Sequence, residues 1–186
     1  IGDVRMMLAD FGFRAKFDPQ GRLFNPSLGG GALLDIGVYV VSLASMIFGK
    51  QPSILTALSD IGMTGVDEQT TMAFRYDTGA LAALTCSIRT LTNQEVSFLG
   101  TRGKIRIHSP FWNSHAATMT DVEGKTVYVE PDRVGNGYNY EAAEVNSCLR
   151  GGKLESSTIP LSETLAIMQT LDSIRTEVDL KYPTEA

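Results

Sequence analysis

The chain lacks the features that identify several large classes of protein. Its formal net charge is −5, and its 16 Lys and Arg residues are scattered rather than clustered, which argues against a protein that binds nucleic acid or an anionic membrane. Its two cysteines, Cys86 and Cys148, stand far apart without CxxC spacing, so the sequence indicates neither a zinc site nor a disulfide framework. We therefore expect no nucleic-acid partner, no bound metal and a reducing, cytoplasmic environment.

Recognisable signals for export or membrane insertion are missing as well. The opening residues, IGDVRMMLADFGF, have neither the basic start nor the apolar core of a signal peptide. The longest apolar run follows Leu33, is short for a membrane span and contains Asp35. We interpret this run as a core helix and expect no membrane partner.

What the chain does contain suits one globular domain. It has 186 residues, of which 43% are hydrophobic and 20% are charged, as is usual for proteins that bury a sizeable core. No internal repeat, linker or low-complexity segment divides it. Residues 1–186 are therefore predicted to form a single domain.

The order of the periodic segments predicts an α+β fold. Residues 3–13 predict a first strand, which a loop rich in Pro and Gly follows. The triplet Gly29–Gly31 is then predicted to turn the chain into a long apolar helix that ends near Gly49. Between Pro52 and Pro131, short β-rich runs are separated by turns such as DTG and GTRG, which predicts an antiparallel meander without parallel pairing. Residues 138–152 and 160–178 predict two closing helices. The expected buried stripe of the second consists of Ile167, Leu171, Ile174 and Val178.

The predicted apolar helix carries a single charged side chain. Asp35 is the only charged residue between Gly29 and Gly49, and Tyr39 follows it four residues later, so both side chains are expected on one helical face. A carboxylate in apolar surroundings needs a charged or hydrogen-bonding partner. It can orient a neighbouring tyrosine hydroxyl. Such a hydroxyl can serve as a general acid or base when a nearby cation lowers its pKa. The alternative is a helix-end carboxylate that the helix dipole stabilises. The spacing alone leaves both interpretations open.

Neither glycine-rich segment has the spacing of a nucleotide-binding loop. After Gly29–Gly31, Leu34 stands where the GxGxxG fingerprint needs its last glycine. Gly100–Lys104 lacks the four-residue spacer and the Ser or Thr of a phosphate loop, and it is predicted to form a β-turn. The sequence therefore offers no site for a pyrophosphate group.

Other residues that often carry chemistry have simpler interpretations. His108 and His115 lack partners for a metal site and are predicted to lie in loops or turns. Asp67–Glu68 is interpreted as a turn that opens a strand, and Cys86 as a core residue. Pro110–Trp112 is predicted to line a pocket or a subunit interface, or to cover the edge of the sheet.

Several segments taken together resemble one family. GGGALLDIG, GTRGKIRI, SPFW and IPLSE, in this order, resemble the C-terminal half of the glucose–fructose oxidoreductase and inositol dehydrogenase (Gfo/Idh/MocA) family, and most of all its dimeric dihydrodiol dehydrogenase and D-xylose dehydrogenase-like members. The resemblance covers nearly the whole chain. It implies a C-terminal α+β domain with an open-faced, mainly antiparallel β-sheet and helices on one face, without the N-terminal Rossmann domain of the family.

The resemblance also implies a function. In the family's D-x-G-x-Y motif the Asp and the Tyr take part in the active site, and here the motif is Asp35, Gly37 and Tyr39. The family's E-K-P motif, which supplies a partner lysine from the Rossmann domain, does not occur in this sequence. The implied function is the substrate and dimerisation half of an NAD(P)-dependent dehydrogenase acting on a sugar or cyclic diol, with NAD or NADP bound mainly by the absent domain. This chain alone is then expected to be inactive.

A homodimer through the open face of the sheet is expected on the same grounds. The segment ALAALTCSI is apolar on both strand faces, so a second apolar face needs cover. Trp112 is a candidate for burial in that interface. The alternative function is a non-catalytic, stand-alone module that binds a like subunit or another protein through the same face.

Overall fold

The computed structural model describes residues 1–185 and places eight strands in one sheet. In chain order the strands are β1 (Val4–Gly12), β2 (Ile54–Ile61), β3 (Asp67–Arg75), β4 (Leu81–Ser87), β5 (Val96–Gly100), β6 (Gly103–Ile107), β7 (Ala117–Asp121) and β8 (Thr126–Val129). The α-helices are α1 (Val38–Phe48), α2 (Tyr138–Arg150) and α3 (Leu161–Glu177). A π-helical turn, Leu33–Gly37, runs directly into α1, and we call the continuous segment Leu33–Phe48 the site helix.

The strands lie in the order β2-β3-β4-β1-β5-β6-β7-β8, and all neighbours are antiparallel except β1 and β4. The predicted α+β fold with an open, mainly antiparallel sheet is therefore confirmed. The prediction of an uninterrupted meander was wrong, because β1 lies between β4 and β5 and pairs with β4 in parallel, with Met7 beside Ala82 and Phe11 beside Cys86. The long segment between these strands, which includes the site helix, provides the crossover that parallel pairing needs.

The two faces of the sheet differ in what covers them. On one face, the site helix and α3 pack over the central strands, where Met7, Met72 and Leu84 are buried in the core. On the other face, the alternate residues of the same strands, such as Leu8 and Leu81, are exposed. The predicted placement of helices on one face is confirmed.

The triplet Gly29–Gly31 turns the chain into the apolar helix, as predicted. Gly29 and Gly31 have φ angles of +70° and +118°, which favour glycine and form a turn ahead of Leu33. The helix ends at Gly49, where a φ of +70° closes it as a left-handed C-cap. Glycines therefore determine where this helix begins and where it ends.

The two C-terminal helices differ in burial. α3 buries Ile167, Leu171 and Ile174 as predicted, and Val178, just past the helix end, is half-buried. α2 buries only Cys148 among its 13 residues, and the apolar Leu149 beside it is 69% exposed. α2 is therefore far less buried against the rest of the chain than α3.

The segment Pro26–Phe48 contains a window with a mean hydropathy of 1.9, and by length and composition alone it could cross a membrane. In the fold, 50% of that window is buried. Val40, Val41 and Ala44 pack into the hydrophobic core. This burial accounts for the apolar sequence, in agreement with its interpretation as a core helix.

Candidate active site

The site helix presents both residues of the predicted pair near its N-terminus. Asp35 lies in the π-helical turn and Tyr39 in the first turn of α1. The Asp35 side chain is 18% exposed and Tyr39 is 45% exposed, so a ligand can reach both from solvent. A π-helical turn contains more residues than an α-helical turn, which shifts positions i and i+4 out of alignment. Accordingly, no hydrogen bond joins the two side chains within residues 1–185.

Asp35 instead forms an ion pair with Arg22, in the loop between β1 and the site helix. The guanidinium donates to Asp35 Oδ1, and this hydrogen bond, with the attraction between the charges, raises the pKa of Arg22. The Arg22 side chain is 67% exposed, so a bound molecule can displace it at little energetic cost. This pair could not be predicted from the sequence, since its members lie 13 residues apart across an irregular loop.

Tyr39 stands in a cluster of aromatic rings. Phe11, on the helix-covered face of β1, packs edge-on against Tyr39 with ring centroids 5.3 Å apart. Trp112 stacks on Phe11 at 3.6 Å and lies 6.3 Å from Tyr39. Trp112 is therefore on the side of the sheet that carries the helices, and the idea that it is buried at the open face was wrong. Its position follows from the short 3₁₀ turn Phe111–Asn113 folding back over β1.

A cavity of about 280 Å³ opens beside this cluster. Aromatic rings of Tyr39, Trp112 and Tyr138 form part of its wall. Polar groups of Asn136 and Glu141 complete it, together with backbone near the start of α2. Of the alternatives predicted for Pro110–Trp112, pocket lining is the one that the structure shows. The sequence did not indicate that α2 contributes to the same cavity.

A buried carboxylate lies beneath the site helix. Asp67 is 0% exposed, and its Oδ2 accepts hydrogen bonds from the Leu33 N–H and the Thr70 hydroxyl, both at 2.8 Å. Burial raises the pKa of Asp67 to about 6, although both hydrogen bonds act in the opposite direction. Glu68 is also buried and pairs with Arg89 at 2.9 Å. The prediction that Asp67–Glu68 opens a strand is confirmed, since β3 begins at Asp67, but the two residues are not part of the turn, because both lie within β3 with buried side chains.

The remaining candidate residues have structural surroundings. His108 Nε2 contacts Thr118 Oγ1 at 2.7 Å, and residues 1–185 contain no group of three His, Cys, Asp or Glu side chains that could hold a metal ion. Cys86 is a fully buried core residue, and burial raises the pKa of its thiol well above the ordinary range. Gly100–Lys104 forms the tight connection between β5 and β6, as predicted.

Comparison with known proteins identifies the class to which this fold and this motif belong. Residues 1–106 match the GFO/IDH/MocA C-terminal domain. The chain belongs to this family, as the resemblance of its motifs predicted.

Two curated relatives make the similarity more specific. The chain is 34% identical to trans-1,2-dihydrobenzene-1,2-diol dehydrogenase of Mus musculus over 192 residues, which cover 98% of this chain and 56% of that protein. The same enzyme of Homo sapiens is 33% identical, with 98% of this chain and 56% of that protein covered. The chain thus spans a little over half the length of these relatives.

Solved structures share the fold. The aldose-aldose oxidoreductase of Caulobacter crescentus, complexed with glycerol, superposes with a TM-score of 0.82 at 21% identity, covering 95% of this chain and 53% of that one. The 3-ketoreductase KijD10 of Actinomadura kijaniata, complexed with NADP and TDP-benzene, gives a TM-score of 0.80 at 22% identity, covering 96% and 55%. These likenesses confirm the architecture of the domain.

Proposed function

We propose that this chain is the substrate-binding half of an NAD(P)-dependent oxidoreductase that acts on a hydroxyl group of a sugar or a cyclic diol. The names of its relatives support this, since one is a cyclic-diol dehydrogenase and another an aldose oxidoreductase. The observation that carries the proposal is the position of Tyr39, which lines a cavity together with Trp112, about one helical turn from the ion-paired Asp35.

Oxidation of an alcohol to a carbonyl removes a hydride and the hydroxyl proton. A bound nicotinamide cofactor supplies the hydride acceptor. In our proposal Tyr39 is the general acid–base group: its phenolate oxygen, stabilised by a cation of the cofactor domain, takes up the substrate proton, and the neutral hydroxyl returns the proton in the reverse direction. The Asp35 carboxylate accepts a hydrogen bond from the substrate hydroxyl or from a lysine of the cofactor domain, and Arg22 orients that carboxylate.

The cavity suits a ring with one apolar face and polar edges. Tyr39 and Trp112 offer aromatic surfaces against which the C–H face of a sugar or a cyclic diol can pack. Asn136 and Glu141 bring an amide and a carboxylate to bond the ring hydroxyls. The volume of about 280 Å³ is at the lower limit of ligand pockets, which favours a single small ring.

The described residues do not themselves fit a dinucleotide. A Cβ on Gly30 would lie 2.8 Å from the carbonyl oxygens of Arg22 and Leu23, and one on Gly31 would lie 2.2 Å from Asp67 Oδ1. The groups packed against these glycines are thus carbonyl oxygens and a carboxylate, which repel a pyrophosphate. We propose that NAD or NADP is bound mainly by a domain outside this chain, and that residues 1–186 form one inactive domain when isolated.

Turnover by the protein that carries both domains tests this function. With NAD or NADP, it should oxidise a sugar or a cyclic diol, measured by the absorbance of the reduced nicotinamide. Asp35→Asn keeps the size of the side chain and removes its charge, and we expect kcat to fall at least about tenfold because the substrate is less well oriented. Asp132→Asn, at an exposed position, is the control. Wild-type turnover of Asp35→Asn at every pH would favour a helix-end role for Asp35.

We propose in addition that the chain forms a homodimer in the cytoplasm; the open face of the sheet supports the homodimer. Its large exposed apolar residues lie on β1, β2 and β4, and an apolar face of this kind usually marks an interface. They are Met6, Leu8, Ile54, Leu58 and Leu81, with Leu58 81% exposed. Light scattering at micromolar concentration should give twice the 20.2 kDa of one chain. A monodisperse monomer would contradict the dimer.

The same face favours the second candidate, a non-catalytic module that binds a like subunit or another protein. Such a module needs the open face but neither Tyr39 nor the cavity. Dimerisation without any turnover of the two-domain protein would favour this candidate.

A further inference from the structure

The turn that leads into the site helix is held by two buried side chains from distant parts of the chain. The Leu33 N–H donates to Asp67 Oδ2 at 2.8 Å, and the two residues are 34 positions apart. The Tyr182 hydroxyl donates to the Gly30 carbonyl oxygen at 2.7 Å, across 152 positions. Neither side chain lines the cavity beside Tyr39.

Asp67 supplies a cap that the local sequence does not. Ala32 occupies the N-cap position and has no side chain that can accept from the first helical N–H groups, so the Leu33 N–H needs an acceptor from elsewhere. The second carboxylate oxygen of Asp67, Oδ1, is buried without a hydrogen-bond partner in the part of the chain that the structure describes. It lies against Gly31, and only glycine leaves room for it at this position, because a Cβ would lie 2.2 Å from Asp67 Oδ1. Such burial is unfavourable for a carboxylate, so a gain in stability does not explain this residue.

Tyr182 is itself fixed in place. It is 6% exposed, the Arg175 guanidinium lies 4.8 Å from its ring centroid, and its backbone N–H donates to Glu185. Burial, with the nearby charge of Asp67, raises the pKa of Tyr182 to about 12, so its hydroxyl stays a donor at neutral pH. The C-terminal segment therefore holds the Gly30 carbonyl through a buried and well-anchored side chain.

We propose that Asp67 and Tyr182 are positioning residues for the acid–base pair. They fix the turn Gly30–Leu33 at its two ends and thereby determine where Asp35 and Tyr39 stand relative to the cavity. Asp35 follows Leu33 by two residues, so any shift of the turn moves its carboxylate directly. A misplacement of about 1 Å can lower a rate by about 10²-fold. The catalytic part of this inference rests on the proposed function; the fixing of the turn does not.

Amide hydrogen exchange of the 186-residue chain, followed by NMR, tests the fixing of the turn. Asp67→Ala removes the acceptor, and exchange at Leu33 should rise about tenfold, the effect of one lost hydrogen bond to a buried donor. Asp67→Asn keeps an acceptor oxygen and should restore most of the protection. Glu68→Ala, which removes the adjacent buried carboxylate, is the matched control and should leave Leu33 unchanged. Unchanged exchange in Asp67→Ala, or no recovery in Asp67→Asn, would overturn the role of Asp67.

Tyr182→Phe removes one oxygen atom with little change in volume, so it tests the second contact even if Asp67→Ala does not fold. Exchange across residues 30–37 should rise severalfold, and Tyr128→Phe, whose exposed hydroxyl contacts Glu130, is the control. In the two-domain protein, Tyr182→Phe should lower kcat severalfold with little change in KM, because the pair is displaced and the cavity is intact. If Tyr39→Phe has a lowered kcat but Tyr182→Phe keeps the wild-type kcat, the positioning role of Tyr182 is overturned. If Tyr39→Phe is itself unimpaired, the proposed function fails and the exchange result still decides whether the turn is fixed.

Discussion

The site helix and α2 both reach the same cavity, but they are built in opposite ways. The site helix is packed into the core through Leu33, Ile36, Val40 and Val41, and it is capped by Asp67. α2 buries only Cys148, and its contacts with the rest of the chain include few hydrogen bonds, such as that from Ser156 to Glu144.

We infer from this difference that the two walls of the cavity have different roles. A group that transfers a proton must be held accurately relative to the substrate, and Tyr39 lies on the rigid wall. Tyr138 and Glu141 lie on the wall formed by α2, whose position depends on few buried contacts. Segments of low local stability are well suited to admit and release a ligand. We therefore expect chemistry to depend on the site helix and substrate range to depend on α2.

A matched pair of truncations gives the largest expected difference between the two helices. Leu33→Ala empties a fully buried position in the site helix and should lower the free energy of unfolding by about 2–5 kcal/mol. Leu149→Ala removes a side chain that is 69% exposed on α2 and should change the free energy of unfolding by no more than about 0.5 kcal/mol. Urea denaturation of both variants measures the difference. Similar losses in both would show that α2 is as well packed as the site helix.

The buried acid beneath the site helix gives a smaller, pH-dependent difference. The pKa of Asp67 is raised from 3.8 to about 6, so between these values the folded chain binds more protons than the unfolded chain. The contribution of the protonated form to the free energy of unfolding is fully present below about pH 4. It is lost as the pH rises through about 6, and the free energy of unfolding then falls by about 2–3 kcal/mol. Asp67→Asn should remove this decline and be more stable than the wild type at pH 7. Asp132→Asn, at an exposed position before α2, should decline as the wild type does, and a wild-type decline in Asp67→Asn would contradict this account.

Most of the fold could be predicted from the sequence because its signals are local. The alternation of β3 and β4 and the stripe Ile167, Leu171 and Ile174 reflect burial of one face, which repeats with the period of the element. The insertion of β1 between β4 and β5 could not be predicted in this way. An alternating strand does not specify its neighbours, and the crossover through the site helix is visible only in three dimensions.

The candidate site was predictable only in part. Asp35 and Tyr39 stand out as polar groups in an apolar helix and in a family motif. Arg22 and Asp67 meet that helix through contacts across irregular chain, and nothing in their local sequence separates them from ordinary loop and turn residues. Tyr182 lies still farther away, beyond the last helix.

The most direct test of the central claim compares two tyrosines that line one cavity from the two helices. In the two-domain protein, Tyr39→Phe removes the hydroxyl that we propose transfers the proton and should lower kcat by about 10²–10⁴-fold, with the affinity for the cofactor nearly unchanged. Tyr138→Phe removes a hydroxyl from the opposite wall and should alter mainly KM, with kcat within about threefold of the wild type. Near-wild-type kcat in Tyr39→Phe, or an equal loss in both variants, would contradict the assignment of proton transfer to the site helix.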